Sequence, residues 1–215
     1  MGTIQFGRIL WLLRKAKWKS PFFTERVERT PFNTLVSCVL SQRTKDAATA
    51  RASKRLLSAA KSAEQLMKLP ARRIEKLIYP VGFYRTKAGR LKEIARVLVE
   101  RHGSKVPADY NELLKLKGVG VKTAGIVMVY GHRVAEHIPV DTHVFRISNR
   151  LGWLRTKTRE ETEPALKKLV PKQHWAELND LFVQFGQNLC RPVSPWCSKC
   201  PVRKHCKRVG VVRSR

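Results

Sequence analysis

Leu114-Lys115-Leu116-Lys117-Gly118-Val119-Gly120-Val121-Lys122-Thr123-Ala124 is where two helical patterns meet. The Gly118-Val119-Gly120 junction is too short for a loop and too rich in glycine for an unbroken helix. Glycines let the backbone approach another group closely. The helix that follows points free N–H groups and the positive end of its dipole at that group. A phosphate is the complementary partner. An ordinary tight turn between two helices has the same outline, so the rest of the chain decides between them.

Charge favours the phosphate. Lys and Arg total 44 against 16 Asp and Glu in 215 residues, a formal net charge of +28 with a pI near 10.7. Such an excess attracts polyanions. No apolar run is long enough for a membrane-spanning helix. No signal-peptide core precedes Arg14 and Lys15, and Phe6 stands where a myristoylation site carries a hydroxyl. The expected partner is therefore nucleic acid and not a membrane, in a reducing compartment: the cytoplasm and nucleoid of a prokaryote, or the nucleus of a eukaryote. With that partner, Lys117, Gly118, Val119 and Gly120 become a helix–hairpin–helix, a sequence-independent grip on one strand.

Helical signals run outward in both directions. Thr30-Pro31 opens a helix with Leu35, Val36, Val39 and Leu40 on its apolar face. Ser62 with Gln65, Asp109 with Glu112, and Thr158 with Glu161 carry the capping-box pattern. Thr86 is expected to cap a longer helix with a stripe of Leu91, Ile94, Ala95 and Leu98, ended by Gly103. Val- and Ile-rich alternation is nearly absent, so the class is all-α. The hydrophobic fraction of 43% is ample for one or two small cores.

Two polar residues beyond the glycine turn could carry chemistry. Lys122 lies in the first turn of the second helix. A cation there is electrostatically disfavoured, which favours the neutral, nucleophilic amine; a surface lysine on a phosphate is the plainer reading. Asp141, in Pro139-Val140-Asp141-Thr142-His143, is placed to cap a helix running to about Leu151. A buried carboxylate beside an amine could also take its proton or steady positive charge on a sugar. His143 next to it fits a supporting or core position better than a catalytic one.

Four cysteines crowd the C-terminal stretch: Cys190, Cys197, Cys200 and Cys206, spaced C-x6-C-x2-C-x5-C. Thiolates so close in sequence hold a metal or pair covalently, and soft ligands select iron–sulfur clusters or zinc. Zinc ribbons usually pair two C-x2-C knuckles. Only one such pair exists here, and the wider arms suit a cuboidal 4Fe–4S cluster. Arg191, Ser194, Lys199, Arg203 and Lys204 make the loop too polar for core.

In this order, a helix–hairpin–helix with lysine, then Val-Asp-Thr-His, then the four cysteines, the chain closely resembles the endonuclease III family. The resemblance runs from Leu35-Val36-Ser37-Cys38 through Val81-Gly82-Phe83-Tyr84 to Cys206. It implies two helical domains with DNA in the cleft between them: a six-helix domain over 21–134, and a cluster domain made of 1–20 and 135–215. It implies a bifunctional DNA glycosylase and AP lyase that excises oxidised pyrimidines. Lys122 would be the nucleophile and Asp141 the carboxylate that activates it. The four cysteines would hold a 4Fe–4S cluster, with Arg191 and His143 among the DNA contacts. The substrate would be double-stranded DNA containing damaged bases or abasic sites, met by a monomer.

Two departures from the family pattern stand out. Lys117 replaces the usual proline of Leu-Pro-Gly-Val-Gly, adding a possible phosphate contact. In Leu40-Ser41-Gln42-Arg43-Thr44, the position two after the serine, where the family places the glutamine that fills the gap left by a flipped base, is Arg43, with Gln42 one residue earlier. Phe83 matches the second wedge position, although a core phenylalanine between Val81 and Tyr84 is an equal alternative. Two other function classes share parts of the pattern. One is a monofunctional mismatch glycosylase, which borohydride would not trap on DNA. The other is a non-catalytic iron–sulfur DNA-binding protein, which would bind DNA without turnover.

Overall fold

The computed structural model describes residues 3–16, 18 and 28–215, with 3–5 by backbone alone. Met1, Gly2 and the junction between residues 20 and 21, on which the N-terminal and boundary expectations fall, lie outside these. Every regular element among the described residues is helical. The chain divides into two compact units, Pro21–Val134 and the pair Met1–Ser20 with Ala135–Arg215.

Helix α1 (Thr3–Lys15) belongs with the C-terminal unit. It buries Phe6, Ile9, Leu10 and Leu13, the stripe of an amphipathic helix. Arg14 and Lys15 in its last turn meet the negative end of its dipole.

The central unit begins with α2 (Pro31–Ser41), where the Thr30 hydroxyl accepts a hydrogen bond from the Asn33 amide at 3.2 Å and Pro31 fills the first position. Leu35, Val36, Val39 and Leu40 are all buried. Then come α3 (Asp46–Ala59), α4 (Ala63–Lys68) capped by Ser62, α5 (Ala71–Ile78) and α6 (Tyr84–His102). The hairpin is α7 (Tyr110–Lys115), capped by Asp109, and α8 (Val121–Ile126), which passes directly into a buried π-helical turn over Val127–Gly131. The described residues of this unit thus form seven α-helices where the resemblance implied six. Pro70 separates α4 from α5, because a proline lacks the N–H and turns its predecessor out of the helical region.

Thr86 does not cap α6. The helix starts earlier, from Phe83 in the left-handed region (φ 57°), with the Lys87 amide donating to the Phe83 carbonyl at 3.0 Å. No side chain caps it; the Thr44 hydroxyl reaches across and accepts from the Gly82 amide at 3.2 Å.

The second unit adds α9 (Thr142–Leu151), α10 (Arg159–Leu169) capped by Thr158, and α11 (Trp175–Asn188). Its core joins α1 to α9 and α11 through Phe6, Ile147, Phe182 and Phe185, with Phe6 edge-on to Trp153 at 4.6 Å. Beyond α11 the chain makes two short 3-10 turns, Cys197–Lys199 and Arg203–His205. Among the described residues, no helix is long and apolar enough to cross a membrane.

Candidate functional site

In the hairpin, Val119 closes the turn by donating its amide to Leu116 at 3.0 Å, and its side chain is buried. Gly118 sits at φ 80°, where a side chain is strained, and a Cβ there would collide with Arg90 from α6. Gly120 opens α8 with no side-chain cap, so the first amides of the helix keep the anion-seeking character of an N-terminus. The Tyr110 hydroxyl of α7 donates to the Val121 carbonyl at 3.3 Å and ties the two helices together. Lys122 is exposed in the first turn of α8. Its charge is felt on α2: burial pushes the Cys38 thiol up to about 12, and the Lys122 ammonium pulls the other way. Lys117, expected on a phosphate, is paired at 3.1 Å with Glu93 of α6, an exposed pair of the weak kind.

Beside the hairpin, the α2–α3 turn and the turn before α6 come together. Gln42 donates its amide nitrogen to the Gly118 carbonyl at 2.9 Å and accepts from Arg90 at 3.1 Å. Arg43, at φ 51°, and Phe83 are both left-handed, and the Arg43 guanidinium lies 5.9 Å from the Phe83 ring centre. Phe83 is 63% exposed, so it is not a core phenylalanine. The two turns flank an open hollow of about 260 Å³ lined by Gln42, Arg43, Phe83, Thr86, Lys87 and Arg90.

In the other unit, Asp141 caps α9. Its Oδ1 accepts from the amides of His143 at 2.8 Å and Val144 at 2.9 Å, and the residue is buried. His143 packs against the Gly186 backbone of α11 and makes a 3.1 Å contact with Arg146. One and two turns along α9, Arg146 donates to the Cys190 carbonyl at 2.9 Å, and Arg150 donates to the Arg191 and Pro192 carbonyls at 2.5 Å each. The helix that Asp141 caps therefore also supports the first cysteine. Arg191 is exposed at its side chain.

All four cysteines of the loop are free thiols, and they line one small pocket with Leu151, Phe185, Leu189 and Trp196. The Cys200 thiol is pushed up to about 12, first by burial and then by Cys190, Cys206 and Cys197, against a backbone hydrogen bond at Val202. Four thiolates in one pocket repel one another, a charge that Arg150, Arg203 and Arg208 on the same lining and a bound cationic centre would offset. Among the described residues, no three His, Cys, Asp or Glu side chains converge as a single ion requires. Soft thiolates gathered in one pocket suit zinc or an iron–sulfur cluster.

Comparison with known proteins decides the family. Residues 36–172 match the model described as HhH-GPD superfamily base excision DNA repair protein. Over 180 residues the chain is 48% identical to the endonuclease III of Thermotoga maritima, covering 84% of each protein. The chain belongs to the endonuclease III family. It is also 39% identical over 188 residues to endonuclease III-like protein 1 of Bos taurus, spanning 86% of this chain but 61% of that longer relative. Its fold matches the endonuclease III chain of a trapped DNA covalent intermediate, an estranged-adenine complex, with a TM-score of 0.84 at 32% identity over 97% of both chains.

Sequence reasoning missed three cations that hold these turns of the endonuclease III fold in shape: Lys87, Arg90 and Arg150. Lys87 carried a usable signal, since it lies four residues before Leu91 and so falls on the buried stripe of α6. Arg150 carried the same signal, three residues after the buried Ile147.

Proposed function

We propose that this chain is a bifunctional DNA glycosylase and AP lyase that excises oxidised pyrimidines from double-stranded DNA in base excision repair. The observation that carries this reading is Lys122, exposed in the first turn of α8 directly after the Gly118–Gly120 turn. The hairpin amides and the surrounding cations hold one strand by its phosphates. The damaged nucleotide must leave the stack before its C1′ can be reached.

The Lys122 amine then attacks C1′, and the base departs with the electrons of the glycosidic bond. Loss of the amine proton and opening of the sugar leave an imine between Lys122 and C1′. Removal of a C2′ proton expels the 3′ phosphate, and water releases the lysine. Asp141, a buried carboxylate, is the group that takes the amine proton and steadies the cationic sugar. Cys190, Cys197, Cys200 and Cys206 would hold a 4Fe–4S cluster, which supplies the crosslink that folds a loop otherwise short of core. The ordered loop offers Arg191, Arg203 and Lys204 to DNA.

Borohydride reduction tests the reading, because it converts the imine to a stable amine. Incubated with duplex bearing an abasic site or an oxidised pyrimidine, the protein should be trapped covalently on DNA. Lys122→Ala should abolish trapping while keeping measurable affinity for the lesion. Trapping that survives in Lys122→Ala would move the nucleophile elsewhere, and base release without trapping would favour a monofunctional enzyme.

A further inference from the structure

Beyond Cys206 the chain turns back over its own cysteine loop. The Lys207 amide donates to the Leu151 carbonyl at 3.4 Å and the Val209 amide to the Arg150 carbonyl at 3.1 Å, so the segment leaves the loop along the end of α9. Arg208 (φ 56°) and Gly210 (φ 70°) are both left-handed and reverse its course, and the Val211 amide donates to the Arg208 carbonyl at 3.1 Å. Left-handed backbone at a residue other than glycine persists only where its surroundings over-determine it. Here the Arg208 amide reaches the Cys206 sulfur at 3.3 Å, and its guanidinium donates to the Ser214 hydroxyl at 3.1 Å. Arg215 then fastens the segment to the loop. Its amide donates to the Pro195 carbonyl and its carbonyl accepts from the Ser198 amide, each at 2.8 Å. The Arg215 guanidinium lies 5.0 Å from the centre of the Trp196 ring, which also lines the thiol pocket.

One apolar side chain of this segment is set apart from its neighbours. Val209 and Val212 are exposed, Val212 at 95%, whereas Val211 is partly buried and joins the four cysteines in lining the pocket. Val211 apart, residues 207–215 are all exposed. A segment held by a few bonds on exposed residues opens far more readily than the Phe6, Phe182 and Phe185 core beneath it. We propose that residues 207–215 are a strap over the cysteine pocket with Val211 as its stopper, and that local opening of the strap, not unfolding of the unit, sets how fast small molecules reach the metal centre. The proposal rests on the reading of the four cysteines as cluster ligands. An apolar side chain laid over the thiols keeps water out of the pocket, and with it the dissolved chelators and oxidants that strip iron from an open centre.

Iron-loaded protein, prepared without oxygen, tests this by the rate of iron release to 1,10-phenanthroline. Val211→Gly should release iron about fivefold faster than the parent, the scale set by partial burial of one valine. Val212→Gly loosens the same stretch of backbone but removes a side chain that covers nothing, so it should release iron at the parent rate. A chain stopped after Val209 lacks both the stopper and the Arg215 bonds, and should be the fastest of all. Tryptophan fluorescence should show no faster unfolding of Val211→Gly, which separates opening of the strap from loss of the unit. Equal rates in the parent and Val211→Gly, a Val212→Gly as fast as Val211→Gly, or release that keeps pace with unfolding in every variant would overturn the strap. If the stopped chain takes up no iron, Val211→Gly against Val212→Gly decides. A parent that holds zinc and no iron defeats the cluster reading, and the same comparison made on zinc release then decides the strap. A parent that holds neither metal defeats both.

Discussion

The wedge turns of the central unit and the cysteine loop of the other unit solve one problem by opposite means. Both must hold irregular backbone in a fixed shape without a helix or a sheet. Around Arg43 and Phe83 the backbone is held by one buried lysine that gathers oxygens from residues 40, 42 and 44. Around Cys190–Cys206 it is held from one end by arginines of α9 and across its width by four thiols facing one cavity. The first device is an electrostatic clamp that one substitution opens. The second is a crosslink that needs an added centre. Their failure modes should differ accordingly.

The largest difference should follow Cys200→Ser. With the proposed cluster in place, iron should fall from about four per chain toward none, and amide protection should vanish across residues 189–209. The hairpin amides around α8 should keep their protection, because Leu116, Val119 and Ala124 belong to the other core. Retention of full iron, or equal loss of protection in both units, would break the contrast.

Arg150→Met should come next. Arg150 is buried but the Arg191 and Pro192 carbonyls it holds are on exposed residues that water can partly serve, so losing these charged donors should cost about 1.5–3 kcal/mol. Arg191→Ala, at an exposed side chain in the same loop, should stay within about 0.5 kcal/mol. Chemical unfolding monitored by the tryptophans of this unit measures both.

These substitutions also mark where the sequence is legible. Caps and apolar stripes can be seen in it because each is a local rule: Thr30, Ser62, Asp109, Asp141 and Thr158 all cap as their neighbours dictate. The cysteine loop is legible for the same reason, since its ligand spacing is local. The clamp is not. Lys87 finds its oxygens more than forty residues away, and its partners are mostly backbone carbonyls, which carry no side-chain signature. Thr86 reads as a cap because a left-handed Phe83 is invisible in sequence; helix α6 starts at Tyr84, just after the Gly82 amide held by the Thr44 hydroxyl.

A smaller effect, in pH, sharpens the contrast from the clamp side. Burial and then the neighbouring Arg90 pull Lys87 down to about 8 from 10.5. The folded state therefore sheds this proton before the unfolded chain does. Between pH 8 and 10.5 the unfolded state binds more protons, so the contribution of Lys87 to stability rises with pH across that window. Over the same window the neutral amine has two donors for three oxygens, and the wedge turn loosens even as global stability gains. Subtracting the Lys87→Met stability curve from that of the parent isolates the rise. A difference curve that is flat from pH 8 to 10.5 would mean that Lys87 titrates as an ordinary surface lysine.

The smallest effect on the fold separates two aspartates that do the same local work. Asp109 accepts the Glu112 amide at 2.9 Å and opens α7 on an exposed surface. Asp141 accepts two amides and opens α9 while buried. Asparagine caps a helix about as well as aspartate, so Asp109→Asn and Asp141→Asn should each change stability by only a few tenths of a kcal/mol. What they remove is negative charge. At Asp109 that charge has only solvent and a helix dipole to answer, and base release should not change. At Asp141 the proposed chemistry asks the carboxylate to accept a proton and face a cationic sugar, which an amide cannot do. Asp141→Asn should therefore slow base release by orders of magnitude at almost unchanged melting temperature. If instead stability and rate fell together in Asp141→Asn, the carboxylate would be a cap like Asp109 and nothing more.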